Sequence, residues 1–371
     1  MSHGAETKDT KKGTGKQTGL WILLGLLVCV GIYFVALPEL FAGRYDRAEA
    51  DGKTATSTGI FSKPAPAVPT LDKVDYDRRM LALANYGTTT GTSTASTTHT
   101  WPTQAPYPLP GALLPFNRIV AYYGNFYSTK MGILGQDPPN VMIPKLQAEV
   151  KVWEAADPKT PVIPAIDYIA VTAQGSPQPD GTYRLRMPGT EIQKAIDLAA
   201  EVHGIVILDV QVGLSTLPQE LPRLEPYLKQ ANVHLAIDPE FAMHNGIVPG
   251  HVIGTMSSSD INYAATFLQK IVQDNNLPPK ILVVHRFTED MVTGSKNIRP
   301  LPEVQIVMDM DGWGFGAKKI NTYKRVIQME PVQFAGFKLF YKNDLLPPST
   351  RMLTPQEVLN LQPAPIFIQY Q

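Results

Sequence analysis

The segment VHLAIDPEF (233–241) ends an apolar run in two acids, Asp238 and Glu240, with one proline between them. Side chains on an extended strand alternate faces, so residues two apart share one. Val233, Leu235 and Ile237 then form a row suited to packing against helices, while His234, Ala236, Asp238 and Glu240 share the other side. The same parity groups Asp209 with Gln211 in VILDVQV and Asp309 with Asp311 in VQIVMDMD, each opposite an apolar row. His285 in KILVVHRF and Lys338 in GFKLFYKND fall on matching positions, and Tyr122, Tyr123 and Asn125 in IVAYYGN stand at the end of another such run. In every case the polar residues come late in the run.

Paired carboxylates suit glycoside hydrolysis, in which one acid protonates the leaving oxygen and the other acts as nucleophile, base or ion stabiliser. Positions i and i+2 on a strand lie roughly 6.5–7 Å apart, which selects neither retention nor inversion. Asp238 with Glu240 resembles the Asp-x-Glu arrangement of chitinase-like and lysozyme-like barrels. Glu240 with Asp309 or Asp311 instead resembles barrels that place the acid on strand four and the nucleophile on strand seven. Glu240 is the expected acid in both, with Asp209 and Asp238 raising its pKa as like charges. Catalytic candidates are therefore Glu240, Asp238, Asp209 and Asp309; Gln211, Asp311, His285, Tyr123, Asn125 and Lys338 are substrate-binding candidates. Plain structural roles stand beside these. An acid at a strand end can cap the next turn, Asp311 before Gly312 and Asp344 before Leu345 fit turns, and Lys338 can neutralise an inward aspartate.

Other chemistries find less support. The chain has no His-x-His strand motif, no H-E-x-x-H and no G-x-S-x-G. GWGFG (312–316) lacks the Walker lysine-serine ending and the G-x-G-x-x-G spacing. No cofactor is implied. An acid-rich mouth with His285 also suits a divalent cation, so a metal-dependent hydrolase on the same scaffold is one alternative. A non-catalytic glycan- or partner-binding protein is another.

These residues need a scaffold that brings strand ends together. Strand-length apolar runs occur at 119–125, 162–171, 204–212, 233–241, 251–256, 280–287, 304–311 and 336–344, and helices are expected at 141–155, 190–202, 217–230, 259–275 and 317–328. Continuous apolar runs alternating with helices predict a parallel sheet covered by helices. Eight strands fit an α/β TIM barrel, (β/α)8, with some reduced helices, because the 241–251 and 288–303 connections are short of helix. Barrel enzymes keep their sites at the C-terminal mouth, where late-strand residues converge. An open doubly wound sheet is the competing topology. The tail holds a capping box at Thr354 and Glu357 and ends in an extended strip, PAPIFIQYQ.

Ahead of this domain (111–371) the chain changes character. Residues 19–37, GLWILLGLLVCVGIYFVAL, carry no charge and are long enough to span a bilayer, with lysines at 8, 11, 12 and 16 before them. That asymmetry predicts a cytoplasmic tail at 1–18, a single transmembrane helix and an extracytoplasmic remainder, so that the membrane is a partner through this helix. Residues 38–110 read as a disordered linker rich in proline and threonine, interrupted by LDKVDYDRRMLALANY (71–86), expected as a short isolated helix with Leu71, Val74, Leu81 and Ala84 along one face. The 33 basic and 33 acidic residues cancel, which argues against nucleic acid. Cys29 is the single cysteine, so no intrachain disulfide forms.

The motifs YYGN, MGILG (131–135), LDVQVG, HLAIDPEF, LVVHRF, GFKLFY and PAPIFIQYQ, in this order, resemble a family of bacterial exported proteins carrying a glycoside-hydrolase-like (β/α)8 domain. The resemblance covers roughly 118–371 and implies a barrel fold and a carbohydrate setting. A polysaccharide or peptidoglycan is the expected substrate.

Overall fold

Eight parallel strands close on one another: β1 (Arg118–Gly124), β2 (Val162–Ala173), β3 (Ile205–Val210), β4 (Val233–Ile237), β5 (Lys280–Arg286), β6 (Val304–Met310), β7 (Phe334–Leu339) and β8 (Phe367–Tyr370). Closure is direct, since Ile119 of β1 is in register with Ile163 of β2 on one side and Phe367 of β8 on the other. The computed structural model describes residues 70–86, 100–244 and 246–371. The expected membrane helix at 19–37 lies outside them. Among the described residues no helix is long and apolar enough to cross a membrane.

The closed barrel removes the open-sheet alternative, and one strand expectation is corrected. HVIGTM (251–256) is not in the barrel: only Met256–Ser257 is extended, and it pairs with Val292–Thr293 in a separate small sheet. His251, Val252 and Ile253 are exposed. The strand that closes the barrel is the terminal strip, whose Phe367–Tyr370 is buried throughout between β1 and β7. Short apolar runs look alike locally; only a run with neighbours on both edges can satisfy its backbone inside a barrel.

Helices flank the strands: α1 (Lys73–Ala84), α2 (Pro139–Ala156), α3 (Gly189–Glu201), α4 (Ser258–Asn275) and α5 (Gly316–Tyr323). Ser257 and Asp260 form a capping box that starts α4. The expected helix at 217–230 is broken into Leu217–Glu220, Leu221–Arg223 and Glu225–Leu228. Pro218, Pro222 and Pro226 each open one of these turns, because proline fits the first turn of a helix and not its interior. α5 continues as one π-helical stretch, Lys324–Gln328.

α1 is not isolated. Tyr76, Met80, Leu83 and Ala84 pack in one cluster with Ile119, Ile205, Ile281, Phe334 and Phe367, the interior side chains at the strands' N-terminal ends. Half of the expected face is outward, for Val74 and Leu81 are 80% and 63% exposed, while Ala84 is buried and Leu71 packs against the cluster. Asp72 caps the helix by accepting from Asp75 N at 3.0 Å. Beyond it, Asn85 Nδ2 donates to the carbonyls of Leu359 and Leu361, and Ala364 N donates to Leu83 O at 2.7 Å. The floor is sealed further where Gln305 Oε1 accepts from Leu113 N and Leu114 N at 3.0 and 3.1 Å.

Candidate active site

Strand parity places the polar side chains as the sequence predicts. Tyr123, Asp209, Asp238, His285, Asp309 and Lys338 come from six different strands or strand ends and gather at the C-terminal mouth, each at most 4% exposed. His285 is the hub. Its Nδ1 lies 3.2 Å from Asp309 Oδ2 and 3.6 Å from Asp311 Oδ2, and its Nε2 lies 3.7 Å from Asp209 Oδ2. Tyr123 meets the imidazole edge-on, with ring centroids 6.0 Å apart, and Lys338 Nζ sits 3.7 Å from the Tyr123 ring centroid.

Asp238 ends β4 and serves two purposes. Its Oδ1 accepts from Glu240 N at 3.0 Å, capping the tight turn Pro239–Phe241 that proline starts. Its Oδ2 accepts from Gln211 Nε2 at 3.3 Å, and Gln211 also reaches Tyr123 Oη at 3.3 Å. Glu240, partly exposed, stands at the rim above these buried groups. Its turn is held by Gly254 N, which donates to Glu240 O at 2.7 Å. A Cβ at Gly254 would lie only 2.6–2.7 Å from Pro239 O and from Ala242 N and O. The segment first read as a barrel strand thus positions the acid instead.

Two members of the cluster were not among the predicted site residues. Asp167 of β2 is wholly buried and accepts from Gln369 Nε2 of β8 at 2.5 Å. Asp167 carries the inward parity of the other acids, so the signal was present in VIPAIDYIAV; it lacked a second polar residue to draw notice. Gln369 becomes an interior residue only once the terminal strip is a barrel strand. Asn125 is corrected in role: Nδ2 donates to Ile169 O at 3.0 Å and Oδ1 accepts from Tyr127 N at 2.9 Å, so its amide fastens the loop after β1. Tyr122 points outward, its hydroxyl 3.0 Å from that of Tyr341. Asp344 is more than a turn residue, since it is buried and pairs with Lys319 Nζ at 2.6 Å.

Removing 251–256 from the strand count also changes the site. Asp309 and Asp311 belong to β6 and its end, and the seventh strand presents Lys338. The pairing of a strand-four acid with a strand-seven nucleophile is therefore overturned; Glu240 follows strand four, but the facing acids come from strand six.

Six carboxylates (Asp167, Asp209, Asp238, Glu240, Asp309 and Asp311) share the mouth with the cations of His285 and Lys338. Burial pushes Asp238 up to about 7, with the charges of Asp209 and Asp311 adding to it against His285. Burial and the Asp209 charge push Asp167 up to about 8. Glu240 is raised well above the usual carboxylate range by burial and by Asp238 and Asp311. Burial draws His285 down, but the hydrogen bond to Asp309 and the charges of Asp209 and Asp311 outweigh it and carry the imidazole up to about 10. The raised carboxyls thus favour their neutral forms and the raised imidazole favours its charged form. Among the described residues no three His, Cys, Asp or Glu side chains are arranged to hold one metal ion.

The fold defines the class: a (β/α)8 barrel whose C-terminal mouth is lined by acids. Comparison with protein-family models and with curated proteins gives no match. Among solved structures the chain is similar to a GH5 xyloglucan-specific endo-β-1,4-glucanase from a metagenomic library, in complex with cellotriose, at 11% identity and a TM-score of 0.33, covering 66% of this chain and 81% of that one. At that distance the likeness assigns nothing to this chain's site.

Proposed function

We infer that the chain is a glycoside hydrolase of the cell envelope, anchored by residues 19–37 and acting outside the cytoplasm on a wall or surface polysaccharide. One observation carries this reading: the Glu240 turn is held at the mouth by Asp238 Oδ1, beside a group of carboxylates arranged about His285, and burial with the charges of Asp238 and Asp311 raises the Glu240 carboxyl, as suits an acid. Glu240 donates its proton to the glycosidic oxygen as the bond from that oxygen to the anomeric carbon breaks. The carboxylates below stabilise the positive charge that grows at the anomeric carbon, until water adds there and its proton returns to Glu240. Asp238 holds the Glu240 turn and lies within reach of the same centre. His285 and Lys338 keep the acids from repelling one another apart.

The test uses the full chain in detergent and its Glu240→Gln variant, matched by circular dichroism, with peptidoglycan and a panel of wall polysaccharides. New reducing ends from the wild type and none from the variant support the reading. A wild type that releases none from any polymer removes it.

A binding protein without chemistry is the second reading, and one observation favours it. Asp167, Asp209 and Asp309 are wholly buried, which suits an internal ion cluster beneath a recognition surface as well as a reaction centre.

A further inference from the structure

Along one side of the mouth the acids give way to exposed apolar side chains. Asp311, within 3.6 Å of His285, is followed two residues on by Trp313, and Trp313 and Phe315 are each 38% exposed. Two residues of chain span at most about 7 Å, so Trp313 borders the mouth. The loop after β7 adds Leu345 and Leu346, 46% and 48% exposed. The two loops are fastened together, since Gly314 N donates to Asp344 Oδ1 at 2.9 Å while Asp344 Oδ2 accepts from Lys319 Nζ and Phe340 N at 2.6 and 3.0 Å. Lys318 Nζ stands 4.7 Å from the Trp313 ring centroid. It can lie there because Gly314 has no side chain: a Cβ would meet Lys318 Cδ at 2.8 Å. The indole is thus held from one side by a cation. Large aromatic rings kept in water on a rigid loop forgo the gain of burial, and such patches mark contact surfaces.

Acceptors outnumber donors in the mouth, whose cations are His285 and Lys338. Both Asp209 oxygens, Asp309 Oδ1, Asp311 Oδ1 and Gln369 Oε1 are buried without a hydrogen-bond partner, as is His285 Nε2. Ionised carboxylates and an amide oxygen only accept, so a ligand lying against this mouth is favoured if it brings hydroxyl or amine hydrogens. It must not bring negative charge, because the carboxylates already outnumber the cations. An uncharged sugar chain meets both demands, with C–H faces that stack on an indole and hydroxyls that donate inward.

We propose that Trp313 and Phe315 form a stacking platform at the rim for an uncharged glycan, and that the acid-rich mouth excludes acidic polysaccharides. This rests on the carbohydrate reading above and narrows its substrate class.

Affinity electrophoresis of the full chain in detergent tests it, in a Glu240→Gln background so that the polymer is not consumed. The gels contain neutral β-glucan, xylan or mannan, or polygalacturonate. At least one neutral polymer retards the protein and polygalacturonate does not. Trp313→Ala weakens retention at least about tenfold, or about 1.4 kcal/mol; Trp313→Phe restores most of it, and Phe315→Ala weakens it independently should Trp313→Ala not fold. Retention unchanged in both alanine variants, binding of polygalacturonate as tight as of the neutral polymers, or no retention by any polymer each overturns the proposal. Its failure differs from that of the hydrolase reading: a platform that binds while the wild type releases no reducing ends leaves a binding protein, and release that stops with Glu240→Gln but ignores Trp313 leaves an enzyme without this platform.

Discussion

At the N-terminal end of the barrel the interior side chains are Ile119, Ile205, Ile281, Phe334 and Phe367, closed over by Tyr76, Met80 and Leu83 of α1. At the C-terminal end of the same strands they are Tyr123, Asp209, His285, Asp309, Lys338 and Gln369. Most strands therefore begin apolar and end polar, the exceptions being His234 of β4 and Gln305 of β6. The floor gains free energy from burial, roughly 1.5–3 kcal/mol for each large apolar side chain taken from water. The mouth gives some of it back, because buried carboxylates must be paired, protonated or left costly. The contrast teaches that stability and chemistry occupy opposite ends of one core, so substitutions should separate them.

The largest effect is expected at the rim. Glu240→Gln lowers the hydrolytic rate by about 10²–10⁴-fold with little change in melting temperature; equal loss of both would make Glu240 a structural acid. Gly254→Ala pushes against the Glu240 turn and lowers the rate by about 10²-fold, the usual result of a small misplacement, while the barrel's denaturation midpoint moves far less. At the floor the order reverses. Met80→Ala costs about 2–5 kcal/mol in urea unfolding, and activity per folded molecule is kept. If Met80→Ala leaves stability unchanged, α1 is not part of the core.

The mouth should also appear in the pH dependence of stability. Folding raises Asp238 to about 7 and Asp167 to about 8, mainly through burial. A carboxyl raised on folding contributes fully below its unfolded value, about 3.9, and the contribution is lost as pH rises through the folded value. His285 acts in the same direction, since it is carried up to about 10, chiefly by Asp309 against its own burial. The melting temperature is thus expected to fall from about pH 4 to about pH 7, above which Lys280 and Lys319, lowered by burial to about 7 and about 8, pull the other way; Asp238→Asn flattens part of that fall. A melting temperature that rises over this interval would contradict buried acid strain at the mouth. Smallest of all, Leu81→Ala on the outward face of α1 changes stability by no more than about 0.5 kcal/mol, a tenth or so of the largest floor effect; a larger loss would mean that this face is covered.

Most of the mouth was readable because alternation along a strand is a local property. Asp209, Asp238, His285, Asp309 and Lys338 were placed inward by parity alone and are found there. Asn125 follows the end of β1, where alternation no longer applies, whereas Tyr122 lies within β1 on the face opposite Tyr123, as alternation requires. α1 was given half of its face: Leu71 and Ala84 meet the floor, Val74 and Leu81 do not, and Tyr76, Met80 and Leu83 complete it, because the sequence around the helix says nothing of the floor it covers.

The sequence alone determined seven of the eight barrel strands, which side of most of them is polar and the capping box at Thr354, since those depend on neighbours a few residues apart. The tertiary structure decided which run closes the barrel. Pairing Ile119 with Phe367 joins opposite ends of the domain, and no local pattern separates PIFIQY from HVIGTM. That choice set the strand count, moved Asp309 to strand six, gave strand seven to Lys338 and brought Gln369 to Asp167. Contacts of such long range are selected by the edges available in the folded barrel, and these come into being only when the other strands are in place.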